Sequence, residues 1–206
     1  MNRRGNLFVI TGPSGSGKDE LIGILRRSDL QFRMVTTAVT REPRPGEHRG
    51  VTHYFLTPAE FEEWKNDGKL LEWAEVYGRK YGTPRWEVED PIDNGEDVVL
   101  RVDVQGAKSV KEKLPEAEVI FIAPPSADEI KRRLESRATE DSSEIGHRLD
   151  ALDSEMAFSE ECDHVVVNET GGQKQAAHEL GEMIRMVRRS RRGSGVENGG
   201  VDSVEG

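Results

Sequence analysis

An eleven-residue stretch near the start of the chain, Val9-Ile10-Thr11-Gly12-Pro13-Ser14-Gly15-Ser16-Gly17-Lys18-Asp19, constrains the fold more than any other. The apolar run 7–10 reads as a buried strand, and Leu21, Ile22, Ile24 and Leu25 read as the inner face of a helix. Between strand and helix stands a G-x-x-x-x-G-K pattern, in the setting that lets such a loop bind phosphate. Gly12, Gly15 and Gly17 permit tight turns that bring backbone N–H groups close to an anion. The helix N-terminus adds partial positive charge and Lys18 a full one. The pattern identifies phosphate as the ligand and leaves the nucleotide open. Asp19 follows the lysine, where a hydroxyl commonly helps to hold Mg²⁺. A carboxylate is also a hard oxygen ligand, so Asp19 is a candidate on the metal side, although no metal ligand is assigned directly. It also sets a negative charge beside phosphate.

A chain of 206 residues fits one domain with a sizeable core. No apolar run approaches the ~20 residues of a membrane-spanning helix, and the run 7–10 is too short for a signal-peptide core. The single cysteine, Cys162, allows no internal disulfide and fits a reducing compartment, so the cytoplasm is expected. A formal net charge of −10 argues against a general nucleic-acid binder. Oligomeric state is not legible.

Strand patterns at 31–36, 53–56, 70–77, 96–102, 118–122 and 165–167 alternate with helix patterns at 58–67, 107–113, 126–137, 143–158 and 174–188. A weaker helix follows Pro84. Thr57-Pro58-Ala59-Glu60 is a capping box with proline at the first helical position. Residues 37–50 have no periodicity and read as an ordered loop or short-strand excursion, and 78–82 as a turn. The alternation implies an α/β fold with a parallel, helix-covered sheet, and ligands bind outside the carboxyl ends of such strands. Residues 189–206 read as a disordered tail.

Phosphoryl transfer from the loop needs an acceptor pocket, and 37–72 has the composition of one. Arg41 and Arg44 lie three residues apart on a loop stiffened by Pro43 and Pro45. Two guanidiniums so held suit the oxygens of a phosphate monoester; the alternative is a solvated surface loop. Leu71-Glu72-Trp73-Ala74-Glu75 puts an acid inside an apolar strand, where an unpartnered charge is costly. A carboxylate there matches the paired N1–H and N2–H donors of guanine, which adenine lacks.

These motifs, with Tyr81-Gly82-Thr83, Asp103-Val104-Gln105-Gly106-Ala107, 121–126, 133–137 and 165–168, resemble the guanylate kinase family in order and spacing over about residues 5–188. The resemblance implies a P-loop NTPase three-layer α/β fold with a parallel core sheet. It adds a small mixed β/α GMP-binding subdomain at about 37–90 and a helical lid at about 127–158, within a domain spanning 1–188. It implies ATP and GMP as substrates with Mg²⁺, and neither nucleic acid nor membrane as a partner. By the same resemblance Arg41, Arg44 and Tyr81 grip the GMP phosphate. Thr37, Glu72 and Thr83 read guanine, with Asp103 on the nucleoside side. Lys18, Arg137 and Arg148 neutralise the phosphoryl group in transfer, alongside Arg41. Residues 12–19 hold ATP, and Arg133 and Asn168 lie against the donor adenine. Three lid arginines that arrive on closure would delay their electrostatic help until water is excluded.

Three positions depart from the family. Asp19 is one. His53 stands where a tyrosine is usual, so either His53 meets the GMP phosphate or Tyr54 reaches it; strand alternation favours His53. Arg101 replaces a common aspartate, and either pairs with Asp19 or meets phosphate directly. Asp19 and His53 also fit a ribose 1,5-bisphosphate phosphokinase. A third reading is a non-catalytic binding module, against which the intact Lys18 and glycines speak.

Overall fold

The computed structural model describes residues 4–76, 78–126, 129–130 and 152–193. At its centre is β1 (Leu7–Thr11), buried along its whole length. It lies in a five-stranded sheet with β2 (Arg33–Met34), β7 (Val98–Arg101), β8 (Glu118–Ala123) and β9 (His164–Val167), ordered β2-β7-β1-β8-β9 and parallel throughout. Strands buried on both faces read as continuous apolar runs, and Leu7-Phe8-Val9-Ile10 shows why. Leu7 and Val9 pack with Val104, Ala107 and Val110 of α4 (Val104–Lys113) on one face. Phe8 and Ile10 pack on the other with Leu21 and Leu25 of α1 (Lys18–Leu25) and with Leu180 and Ile184 of α5 (Gln173–Gly193). Helix, sheet and helix form the expected three layers.

A second, mixed sheet, ordered β4-β3-β6-β5, joins β3 (Thr37–Val39), β4 (His53–Phe55), β5 (Leu70–Val76) and β6 (Arg79–Pro84). Helix α2 (Pro58–Asn66) closes it. The Thr57 hydroxyl accepts from Glu60 N–H at 3.2 Å, and the Glu60 carboxylate accepts from Thr57 N–H at 2.7 Å. Phe61, fully buried, carries this helix into a small core with Ala38, Leu56 and Leu70. Trp64 and Trp86 meet edge to face at 5.0 Å beside Tyr54. Trp73 is partly exposed, with Lys65 Nζ 3.9 Å from its ring centre.

The structure departs from the sequence reading in three places. Residues 78–82, read as a turn, belong mostly to β6, which pairs with β5 from Val76–Arg79 onward. Gly82 hid the strand: a Cβ there would stand 3.0 Å from Leu70 and 3.1 Å from Phe61, so close packing favours glycine. The helix expected from Pro84 is instead a 3₁₀ turn (Arg85–Glu87) and a short helix, α3 (Glu89–Asp93). The last helix runs past Arg188 to Gly193, so the disordered tail expected from residue 189 is not what the structure has there. Arg188 pairs with Asp97 and Arg191 with Glu118. These arginines tie the end of the helix to particular carboxylates beside β7 and β8. Residues 194–206 and most of the lid region lie outside the described residues.

Candidate active site

The chain leaves β1 at Gly12, whose φ of +135° and approach to Ile122 exclude a side chain; a Cβ would sit 2.3 Å from the Ile122 carbonyl oxygen. The loop ends at Gly17, the residue before α1, with φ +91°. Here a Cβ would stand 2.2 Å from Asn168 Nδ2. That amide donates to Ser16 O at 2.8 Å, while Asn168 N–H donates to Ala123 O at 2.8 Å. Asn168, 1 % exposed, therefore supports the loop from below. The resemblance had set it against adenine, a position its burial under the loop does not offer. Lys18 opens α1 and curls back, donating to Gly12 O at 2.7 Å and Pro13 O at 3.0 Å. Desolvation, with the Arg101 cation nearby, brings its pKa down to about 8. A bound anion would raise it again by favouring the charged form.

Beside the loop opens a cavity of about 390 Å³. Ser14, Asp19 and Arg101 line it from the core-sheet side, and Thr37, Arg41, Arg44, His53, Glu72 and Tyr81 from the small sheet and its loop. Asp103 enters from the cap of α4, where its carboxylate accepts from Gly106 N–H at 2.8 Å. Seven of the eight residues expected on the GMP side thus converge on one space, and the eighth, Thr83, bonds to one of them.

Glu72 is 4 % exposed and accepts from Thr83 Oγ1 at 2.5 Å. Burial pushes its pKa up to about 7; the Thr83 bond opposes this and the Asp103 charge adds to it. The two acids share the surface of Gly106, where a Cβ would lie 3.2 Å from Glu72 Oε2 and 3.3 Å from Asp103 Oδ1. Two carboxylates meeting over bare backbone form an acceptor-rich wall for a ligand edge that donates.

The cationic wall is built differently. Arg41 is held in a fork by Glu47, with Nη1–Oε2 at 2.6 Å and Nη2–Oε1 at 2.7 Å, and its guanidinium stands 5.5 Å from the Phe55 ring centre. Glu47 also accepts from Arg44 N–H at 2.8 Å. The Arg41 bonds, followed by the Arg44 amide, hold its pKa down to about 2. Among the described residues, the Arg44 guanidinium pairs with no carboxylate. His53 lines the cavity and shares a 2.9 Å hydrogen bond between its Nδ1 and Thr37 Oγ1. Burial and then the Arg41 cation lower its pKa, favouring the neutral ring. Tyr54 points to the other face, where its hydroxyl donates to Glu87 Oε1 at 2.7 Å. Strand alternation therefore holds.

Asp19 and Arg101 pair, Oδ1 to Nε at 2.9 Å. Glu47 has no role legible in the sequence, since an acid six residues after an arginine in a proline-rich loop is a weak signal. Glu87, 5 % exposed, was also missed: it accepts from Thr36 N–H as well as Tyr54 and ties the two sheets' connection together. Arg133, Arg137 and Arg148 lie outside the described residues. Cys162 is a half-buried packing residue whose thiol donates to Phe158 O at 3.3 Å, with its pKa pushed up to about 12 by burial.

Comparison with known proteins agrees with this arrangement. The family model described as "Guanylate kinase" matches residues 4–186. The chain is 43 % identical over 185 residues to a guanylate kinase of Rubrobacter xylanophilus, covering 90 % of this chain and 96 % of the relative. It is 44 % identical over 165 residues to one of Streptomyces coelicolor, covering 80 % and 84 %. The crystal structure of guanylate kinase from Anaplasma phagocytophilum superposes with a TM-score of 0.70 at 30 % identity, covering 90 % of this chain and 87 % of that one. The chain belongs to the guanylate kinase family.

Proposed function

We propose that this protein is an ATP:GMP phosphotransferase that moves the γ-phosphoryl group of ATP to GMP, giving ADP and GDP. The observation that carries this reading is Glu72: a carboxylate 4 % exposed, tethered by Thr83, at the wall of a cavity it shares with Arg41 and Arg44. Ionised, Glu72 accepts the paired N–H donors of guanine, while Arg41, Arg44, His53 and Tyr81 take the phosphate. Thr37, Thr83 and Asp103 complete the base and nucleoside contacts. Residues 12–19 hold the ATP phosphates. No general base is needed, because the attacking phosphate oxygen is already ionised, and positioning with charge neutralisation carries the reaction.

The small sheet serves as the GMP-binding subdomain and residues 127–158 as the lid that brings Arg133, Arg137 and Arg148. Mg²⁺ accompanies ATP and neutralises charge between its phosphates. Among the described residues no group of three His, Cys, Asp or Glu side chains is placed to hold a metal. The Asp19 carboxylate, next to Lys18, is engaged by Arg101. Among the described residues no helix is long and apolar enough to cross a membrane, and the single cysteine supports a cytoplasmic setting.

The sugar-bisphosphate and binding-module readings are not favoured, since the relatives are guanylate kinases over most of their length. The test is ADP formation from ATP and Mg²⁺ in a coupled assay, offering GMP, AMP and ribose 1,5-bisphosphate separately. Turnover with GMP alone is expected. Turnover only with the sugar bisphosphate, or with none of the three, would overturn the reading.

A further inference from the structure

Arg101 ends β7, in register with Ile10 of β1, one residue before the strand that carries the glycine loop gives out. Its side chain lines the 390 Å³ cavity together with Ser14 of the glycine loop and with Arg41 and Arg44 of the acceptor loop. It also lines a neighbouring cavity of about 450 Å³ that contains Thr37, Glu47 and His53. Among the described residues its guanidinium has one polar partner, Asp19, whose Oδ1 lies 2.9 Å from Nε. An arginine presents five N–H donors in a rigid fork, so contact at Nε leaves the terminal amino groups able to serve an anion. Both Lys18 and His53 respond to its charge: each has its pKa lowered in part by Arg101. One cation therefore acts on the donor loop and on the acceptor wall at once.

We propose that Arg101 is a further catalytic residue, contacting the phosphoryl group as it passes between the two nucleotides, and that Asp19 is its positioning residue. This rests on the phosphotransferase reading above. Asp19 sits directly after Lys18, where an uncompensated carboxylate would repel phosphate. The ion pair with Arg101 offsets that charge and draws the arginine toward Asp19 from its Nε side, and both residues line the same cavity. The two residues work as a couple, so the effect of losing Asp19 runs through Arg101.

Five variants test this: Arg101→Ala, Arg101→Lys, Asp19→Ala, Asp19→Glu and the Asp19→Ala/Arg101→Ala double substitution, each with kcat, KM for both nucleotides, Mg²⁺ dependence and thermal midpoint. Arg101→Ala is expected to lower kcat by about 10²-fold, the usual loss for one electrostatic donor to a transition state, with smaller changes in either KM. Arg101→Lys should restore part of the rate, since a point charge replaces the fork. Asp19→Ala should lower kcat about 10-fold with the Mg²⁺ midpoint unchanged, and cost nothing further when Arg101 is already alanine. Asp19→Glu should recover most of the loss.

A kcat within twofold of wild type in Arg101→Ala would overturn the catalytic role. An Asp19→Ala loss of equal size with and without Arg101, or a raised Mg²⁺ requirement in both backgrounds, would overturn the positioning role. Wild-type protein that turns over no GMP would instead fail the functional reading. In that case binding of ATP without Mg²⁺, weakened at least tenfold by Arg101→Ala, still supports Arg101 as a phosphate contact, and unchanged binding overturns it.

Discussion

In the proposed reaction the glycine loop and the arginine loop both address phosphate, the first with main chain held by buried structure and the second with side chains held by other side chains. Gly12 and Gly17 fit against Ile122 and Asn168 with no room for a Cβ. The loop's shape is thus set by the core sheet before any ligand arrives. Arg41 has no such backing. It is aimed by Glu47 through two charge-assisted bonds on a loop whose neighbours are exposed. The donor site is preorganised by packing, the acceptor site by counter-charge. Packing holds no counter-charge for salt to screen, whereas a partly exposed ion pair such as Arg41–Glu47 weakens as salt is added.

The largest effect should come from Lys18→Met, which removes the one full charge on the glycine loop. We expect kcat to fall by at least about 10³-fold, measured by coupled assay. The unliganded variant should stay folded and lose a pH signature. The Lys18 pKa is about 8 in the fold against an ordinary 10.5. Between those values the unfolded chain binds more protons, so wild-type stability rises with pH in that window. Denaturant unfolding at pH 7.5 and pH 10 should show the rise in wild type and not in Lys18→Met.

Next is Glu72→Gln, expected to raise KM for GMP about 10²-fold, the scale of lost hydrogen bonds to a charged group, with little change in KM for ATP. In wild type the guanine edge needs the carboxylate ionised. With a pKa near 7 in the free protein, KM for GMP should fall between pH 6 and pH 8. The glutamine variant should be flat. The same raised pKa acts on folding: stability from Glu72 is complete below about pH 4.5 and lost as pH rises through about 7. A KM for GMP that tracks pH equally in both proteins would sink this assignment.

Smaller effects separate the two loops. Glu47→Gln releases Arg41 and should raise KM for GMP about fivefold, within the range of partly exposed ion pairs, and leave ATP binding alone. High salt should imitate it in wild type and have no further effect in the variant. Thr57→Ala removes the cap of α2 and should cost ~1 kcal/mol of stability, read as a lower denaturant midpoint with both KM values unchanged. A rise in KM for ATP in either variant would mean that the two sites are mechanically joined.

The contrast also explains what could be read from the residues alone. The glycine loop was legible because backbone binding needs particular residues at fixed spacing, and Gly12 to Lys18 supply them. Buried parallel strands such as Leu7–Thr11 were legible because burial on both faces leaves an apolar run. Strand β6 was not, since Arg79–Pro84 contains the glycine and proline that ordinarily punctuate turns, and the reason for Gly82 lies in Phe61, twenty-one positions away. The Arg41–Glu47 fork and the role of Asn168 under Ser16 were hidden likewise. Both depend on where side chains meet after folding, and local spacing carries little of that. Glu72 was found because an acid in an apolar strand violates the local pattern.

The late position of α5 has a consequence for how the protein is made. Leu180, Ile184 and Val187 share one face of the sheet with Phe8, Ile10, Ile120 and Val166. A growing chain emerges N-terminus first, at roughly 5–20 residues per second. The strand bearing the glycine loop therefore waits through most of synthesis with that face partly bare. Asn168, the support of the loop, is also among the last parts to appear. The glycine loop thus gains its buried support only after residue 168 has been made. The nascent protein must keep an apolar sheet face from its neighbours until its closing helix arrives.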